Sequence, residues 1–127
     1  MNPYFMSNDC VSGFTDAEGC FSIHVTKDRW INVTFAFTVS QSDEQPLNAC
    51  ANALVRYGAL RGVTVGTYTT YDDGVASLNV GQHESLMDVI RPFFQDHPLN
   101  SSKRQDYHLF FVALAVYMDK TRDRYVG

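Results

Sequence analysis

The chain has 127 residues, 45% hydrophobic and 13% aromatic, which argues against disorder and provides for one core but not two. Ten basic against fourteen acidic residues give a formal charge of −4, the wrong sign for a protein that holds nucleic acid by bulk charge alone. Three scattered cysteines (Cys10, Cys20, Cys50), without a Cys-x-x-Cys pair, suit a reducing compartment and argue against structural zinc.

The longest apolar run, Leu109 to Met118, is ten residues, about half of a bilayer span, so no membrane partner is expected. No basic segment followed by an apolar stretch opens the chain, and no secretory leader is expected. The triplets Asn32-Val33-Thr34 and Asn100-Ser101-Ser102 then read as accidental glycosylation matches.

In chain order, the first helix is expected from about Pro3 to Ala17, ended by Gly19. Alternation follows, with Phe21, Ile23 and Val25 on one face and Ser22, His24 and Thr26 on the other. Lys27-Asp28-Arg29 is a polar turn. A second strand from Ile31 to Gln41 sets Val33, Phe35, Phe37 and Val39 against Asn32, Thr34, Ala36, Thr38 and Ser40. This hairpin has a greasy face for helices and a polar face for water or a partner.

Ser42-x-x-Gln45 is a capping-box pattern, and Pro46 suits a first helical turn. The helix carries Leu47, Cys50, Ala51, Leu54 and Val55 and is expected to stop at Gly58. A second hairpin spans roughly Val63 to Val80, turning at Asp72-Asp73-Gly74, with Ala76, Leu78 and Val80 alternating with Val75, Ser77 and Asn79. Around Gly66 the outgoing strand's parity is ambiguous. A helix through Leu86 to Phe94 is expected to bend or stop near Pro92, and a last one opens at Ser101 or Ser102 and runs to about Lys120. The expected fold is α+β: an αββαββα saddle of two antiparallel β-hairpins backed by helices, one domain over 1–127.

The run Val11-Ser12-Gly13-Phe14-Thr15-Asp16-Ala17-Glu18-Gly19-Cys20-Phe21 concentrates the chemistry. Ser12, Gly13 and Ala17 are small enough to let a partner helix approach, because interaxial distance follows side-chain size. Where the helix ends, Asp16 and Glu18 part company. One division has Asp16 bonding local backbone groups while Glu18 reaches into solvent as a metal ligand. The run resembles the LAGLIDADG motif of homing endonucleases, with Val11 and Ser12 in place of Leu and Ala and Glu18 in place of the last Asp. A second segment, Pro98-Leu99-Asn100-Ser101-Ser102-Lys103-Arg104-Gln105-Asp106-Tyr107, resembles that family's Pro-Leu…Lys…Asp-Tyr/Phe stretch, whose lysine lies near the scissile phosphate.

The resemblance implies a homodimer that cuts double-stranded DNA with Mg²⁺. Glu18 and the Ala17 backbone carbonyl would hold the metal, and Glu18, Gln41 and Lys103 would be catalytic. Ser12, Gly13, Asp16 and Ala17 would form the dimer interface. The polar ribbon faces supply hydroxyl, amide and imidazole groups of the kind that read base edges in a major groove. Ser22, His24, Thr26, Asn32, Thr34, Thr38, Ser40, Ser77 and Asn79 are these residues, with Lys27, Arg29 and Arg104 for phosphates. Lys103 and Arg104 in a first helical turn oppose the helix dipole unless an anion docks there. Acids such as Asp43, Glu44, Asp119 and Asp123 would then lie on the back.

His83, His97 and His108 lack metal spacing and read as ordinary, while Tyr68 and Tyr71 either line DNA or are plain strand residues. The family implies an intron-borne gene of a mitochondrion, chloroplast or microbe. Two other readings stand beside cleavage. One is a non-cleaving relative, such as an intron RNA-splicing maturase or a degenerate endonuclease. The other is an acidic α+β domain that binds a protein or small ligand.

Overall fold

Ser7 opens the first helix, its hydroxyl accepting the Cys10 N–H at 3.1 Å, and α1 runs Asn8–Glu18. The computed structural model describes residues 6–126, and side chains for 6–121. The expected start near Pro3 lies outside the described residues; within them the cap sets the start at Asn8. Gly19 follows in extended backbone, with φ −82°, so its use is spatial: a Cβ there would sit 2.6 Å from the Thr15 methyl.

From Gly19 the chain enters β1 (Gly19–Lys27), turns, and returns as β2 (Ile31–Gln41) in antiparallel register from Gly19↔Val39 to Lys27↔Ile31. α2 (Glu44–Leu60) is capped by Asp43, whose carboxylate accepts the Gln45 N–H at 3.0 Å. That displaces the expected Ser42 box by one residue, since Asp43 stands two residues before the amide it satisfies. The helix also passes Gly58 and ends at Leu60. Gly62, at φ +75°, takes the left-handed position, and the Val63 and Gly62 amides donate to the Gly58 and Ala59 carbonyls. Gly58 is needed instead for contact, because a Cβ there would lie 2.6 Å from the Val65 side chain.

β3 (Tyr68–Asp72) is shorter than the expected strand from Val63, and β4 (Val75–Val80) returns from it through Asp73-Gly74, both with positive φ. The two hairpins join into one antiparallel sheet, ordered β1-β2-β4-β3. After β4 the chain keeps the expected α+β architecture, and both of the helical stretches expected there form. α3 (His83–Ser85) runs through a π-helical turn (Leu86–Ile90) into α4 (Arg91–Asp96), and α5 (Lys103–Val126) follows, so two helical stretches close the αββαββ core. Pro92 neither stops nor breaks the first of these. The Arg91 amide donates to the Leu86 carbonyl across the π turn, and Pro92 opens the next helix, where its missing N–H costs little. The last helix continues past the expected end at Lys120.

All described helices that pack against the sheet use its odd-numbered face in β1 and β2. Phe35, Phe37, Val39, Leu78 and Val80 meet Leu47, Leu54, Leu86, Ile90, Phe93 and Leu114 there, each burial contributing roughly 1.5–3 kcal/mol. Phe21 ties β1 to α5 through ring contacts with Phe37, Phe94, Tyr107, Phe110 and Phe111 at 5.2–6.1 Å between centroids. Cys50 lies fully inside this core, and burial pushes its thiol pKa up to about 12. A disulfide reagent is therefore expected to label exposed Cys20 in the native protein and Cys50 only after unfolding. Comparable native rates at the two thiols, resolved by peptide mapping, would contradict this core.

Candidate active site and nucleic-acid face

Glu18 is the last residue of α1, exposed, and no hydrogen bond or ion pair holds it among the described residues. Asp16 behaves differently. Its carboxylate accepts the Asn100 N–H at 3.0 and 3.1 Å, the Ser101 N–H at 3.0 Å and the Ser101 hydroxyl at 2.7 Å. These partners are the loop just before α5, not local backbone, so that part of the expectation is corrected. Partial burial raises the Asp16 pKa, but the Ser101 hydroxyl, the Asn100 and Ser101 amides and the Lys103 charge outweigh it and hold the carboxyl below its ordinary value. A carboxylate engaged inside its own chain is also poorly placed to serve as an interface group.

Lys103 completes the exchange. Its Nζ donates to the Asp16 main-chain carbonyl at 3.3 Å, one of the carbonyls that the end of α1 leaves without a helical partner. A cation beginning one helix thus sits at the negative end of another, and an anion ending α1 sits at the positive start of α5. This resolves the apparent misplacement of Lys103. Arg104, about 100° further round the helix, lines a groove with Phe94, Gln95, Pro98, Leu99, Tyr107 and His108 instead. The structure does not bring it to the polar sheet face.

Gln41 ends β2 at the same sheet end as the α1 terminus, as the Gly19↔Val39 pairing requires. Its Oε1 accepts the Ser42 N–H at 3.2 Å, which leaves the amide nitrogen to donate elsewhere. Glu18, Gln41 and Lys103 therefore converge on one corner. Among the described residues no group of three or more His, Cys, Asp or Glu side chains could hold a metal within the chain. Glu18 fits Mg²⁺ as a hard oxygen donor free to bind, with the Ala17 carbonyl beside it, and further ligands would come from phosphate, water or a second copy.

The α1 surface divides sharply. Val11, Ser12 and Thr15 are buried, and Ser12 donates to the His97 carbonyl at 2.5 Å. Ser12 therefore faces its own core and is removed from the expected interface. Cys10, Gly13 and Ala17 remain exposed, and a Cβ at Gly13 would meet nothing within 4 Å. His97 packs as an ordinary structural histidine, its ring facing Asp9 at 3.2 Å and Asn8 at 3.3 Å.

Register puts Ser22, His24, Thr26, Asn32, Thr34, Thr38, Ser40, Ser77 and Asn79 on one face, opposite the helices. Not all are free. Asn79 is nearly buried: its carbonyl oxygen accepts from Thr38 at 3.2 Å, and its nitrogen donates to Ser77, Thr70 and Tyr68 at 3.0–3.4 Å. Its amide is thus occupied within the sheet, against the expectation that it reads bases. Ser40 and Ser77 pair with each other at 2.7 Å, and Ser22 donates weakly to the Ala36 carbonyl at 3.5 Å. His24, Thr26, Asn32 and Thr34 stay exposed.

Several residues on this face were not among the expected ones. Cys20, opposite Thr38, carries the β1 alternation back to within two residues of Glu18. The β3 pairing puts Tyr68 and Thr70 with Asn79 and Ser77 on the polar face and Tyr71 on the other. The charge of Glu44 beside Tyr71 raises its phenol pKa. Trp30, the chain's one tryptophan, is 77% exposed in the turn that carries Lys27 and Arg29 at the hairpin tip.

Comparison with known proteins agrees with this architecture. A 124-residue stretch is 30% identical to an uncharacterized 50.9 kDa protein in ND4 intron 1 of Podospora anserina, covering 94% of this chain and 25% of the relative. The chain thus spans about a quarter of that protein's length. Among solved structures it is similar to the homing endonuclease I-TnaI, with TM-score 0.71 and 27% identity over 92% of this chain and 76% of the other. It is also similar to the I-LtrWI LAGLIDADG homing endonuclease bound to target DNA, at 0.74 and 25% over 89% and 38% of the chains. I-SmaMI bound to an uncleaved DNA target in the presence of calcium ions gives 0.75 and 25% over 91% and 39%. The family description "LAGLIDADG endonuclease" matches residues 11–114, which include both the Glu18 helix and the Lys103 segment, and the chain belongs to that family.

Proposed function

We propose that this chain is a homodimeric, site-specific DNA endonuclease that hydrolyses one phosphodiester in each strand of a long, near-palindromic duplex. The observation that carries this reading is the meeting of the Lys103 Nζ with the end of α1, two residues before the unbonded Glu18 carboxylate. Two acidic α1 tips related by a twofold axis bring two such corners together, and a twofold protein reads a palindromic site. When bound by Glu18 and the Ala17 carbonyl, Mg²⁺ supplies Lewis-acid stabilisation of the phosphate and a more acidic water. Lys103 neutralises charge on the scissile phosphate, and Gln41 orients the attacking water through its remaining amide donors.

The exposed His24, Thr26, Asn32 and Thr34, with Tyr68, Thr70 and the tip cations Lys27 and Arg29, form the duplex-facing surface. Similar proteins of the same fold that are bound to DNA support duplex DNA as the partner. The relative in an ND4 intron supports an intron-borne gene, of organellar or microbial origin.

The charge of −4 per chain favours a second reading: a relative that binds DNA or its intron RNA without cutting. Incubation with a randomised palindromic duplex library and Mg²⁺, followed by sequencing of ends, separates the two. An enriched site cut on both strands is expected. Recovery of bound but intact duplexes would favour the non-cleaving relative, and no binding would leave only the acidic-domain reading.

A further inference from the structure

We propose that Asp16 is the positioning residue for Lys103, clasping the start of α5 so that the lysine's ammonium is held at the acidic tip of α1. The inference rests on the endonuclease reading and assigns Asp16 a part in it that differs from an interface role. Four hydrogen bonds converge on this one carboxylate from Asn100 and Ser101, residues that lie only two or three positions before Lys103. The Ser101 hydroxyl that donates to Asp16 also accepts the Lys103 main-chain N–H at 3.2 Å, so the carboxylate is one bond removed from the lysine's own backbone. Lys103 closes the loop by donating to the Asp16 carbonyl. The exchange spans 84 to 87 residues of sequence; the Phe21 ring contacts with Tyr107, Phe110 and Phe111 seat α5 against β1, and the Asp16 bonds fix its first turn, where Lys103 stands.

The ordinary alternative is that Asp16 merely adds stability by capping α5. A capping role and a positioning role diverge in a double-mutant cycle. Single-turnover cleavage at saturating DNA is measured for the wild type, Asp16→Asn, Lys103→Ala and the double variant, with duplex affinity and thermal melting recorded alongside. Asp16→Asn is expected to slow cleavage about 10- to 100-fold, the scale of a sub-ångström to 1 Å misplacement, with duplex Kd moved less than about threefold. In the Lys103→Ala background the same change is expected to cost less than about twofold, because the group it positions is already gone.

Equal losses in both backgrounds, or a loss confined to Kd, would overturn the proposal. Should Asp16→Asn fail to fold, Ser101→Ala removes one clasp donor and leaves the carboxylate; it is expected to show the same dependence on Lys103, and its absence would count equally against it. If Lys103→Ala alone cuts as fast as the wild type, the lysine's assigned role falls and this inference with it. A wild type that cuts no duplex at all takes down the endonuclease reading itself, a distinguishable failure.

Discussion

Glu18→Gln is expected to slow Mg²⁺-dependent cleavage on the order of 10³-fold while duplex binding is kept or tightened. The substitution keeps the shape of an exposed side chain that bonds to nothing described, so the fold has nothing to lose. It removes the anionic donor that would hold the cation. Metal stabilisation of a phosphate transition state is worth several kcal/mol, and about 1.36 kcal/mol corresponds to a factor of ten in rate. Binding moves in the other direction, because one negative charge per subunit leaves the neighbourhood of a polyanion. Gel mobility and single-turnover cleavage on the selected site measure both. Wild-type cutting rates in the variant would remove Glu18 from the chemistry, and lost affinity with unchanged melting would make it a binding residue only.

Gly13→Leu is expected to separate the subunits while making each one sturdier. In the isolated chain a Cβ at this position meets nothing within 4 Å, and Leu is favoured over Gly in an exposed helix interior by about 0.5–0.8 kcal/mol. Nothing within the subunit therefore calls for glycine here. A second α1 packed across Gly13 would call for it. Overpacking costs about 1–3 kcal/mol per site and counts twice at a twofold interface, so association should weaken by roughly 30-fold or more. Sedimentation over a concentration series reads the association, and thermal melting at low concentration reads the subunit. A variant that stays dimeric would mean that the subunits meet elsewhere or not at all.

Some of this molecule could be read from the chain alone because its signals are local. The alternation from Phe21 to Val39 depends only on the period of a strand, and β2 has the bounds that the pattern implies. The Gly19 boundary and the Glu18 terminus are equally local. Other features resisted for a physical reason. Gly58 and Gly62 both look like helix stops, and only the Val65 side chain packed on the first tells them apart. Ser42 and Asp43 are both good caps one residue apart. The direction of Ser12 depends on the His97 carbonyl, and that of Asp16 on a loop 84 residues away. Lys103 looked misplaced because the helix end it serves belongs to a different element. Arg104 shares its sequence neighbourhood but not its side of the helix.

The sheet's internal bonding bears on attempts to redirect the protein to another duplex. Replacing buried Asn79 would remove the bonds it makes to Thr38 and to the Tyr68 and Ser77 carbonyls at once, so a change there costs the sheet its internal bonding. His24, Thr26, Asn32 and Thr34 carry no such obligation, and they are the positions at which a retargeting library can vary freely without repairing the scaffold beneath.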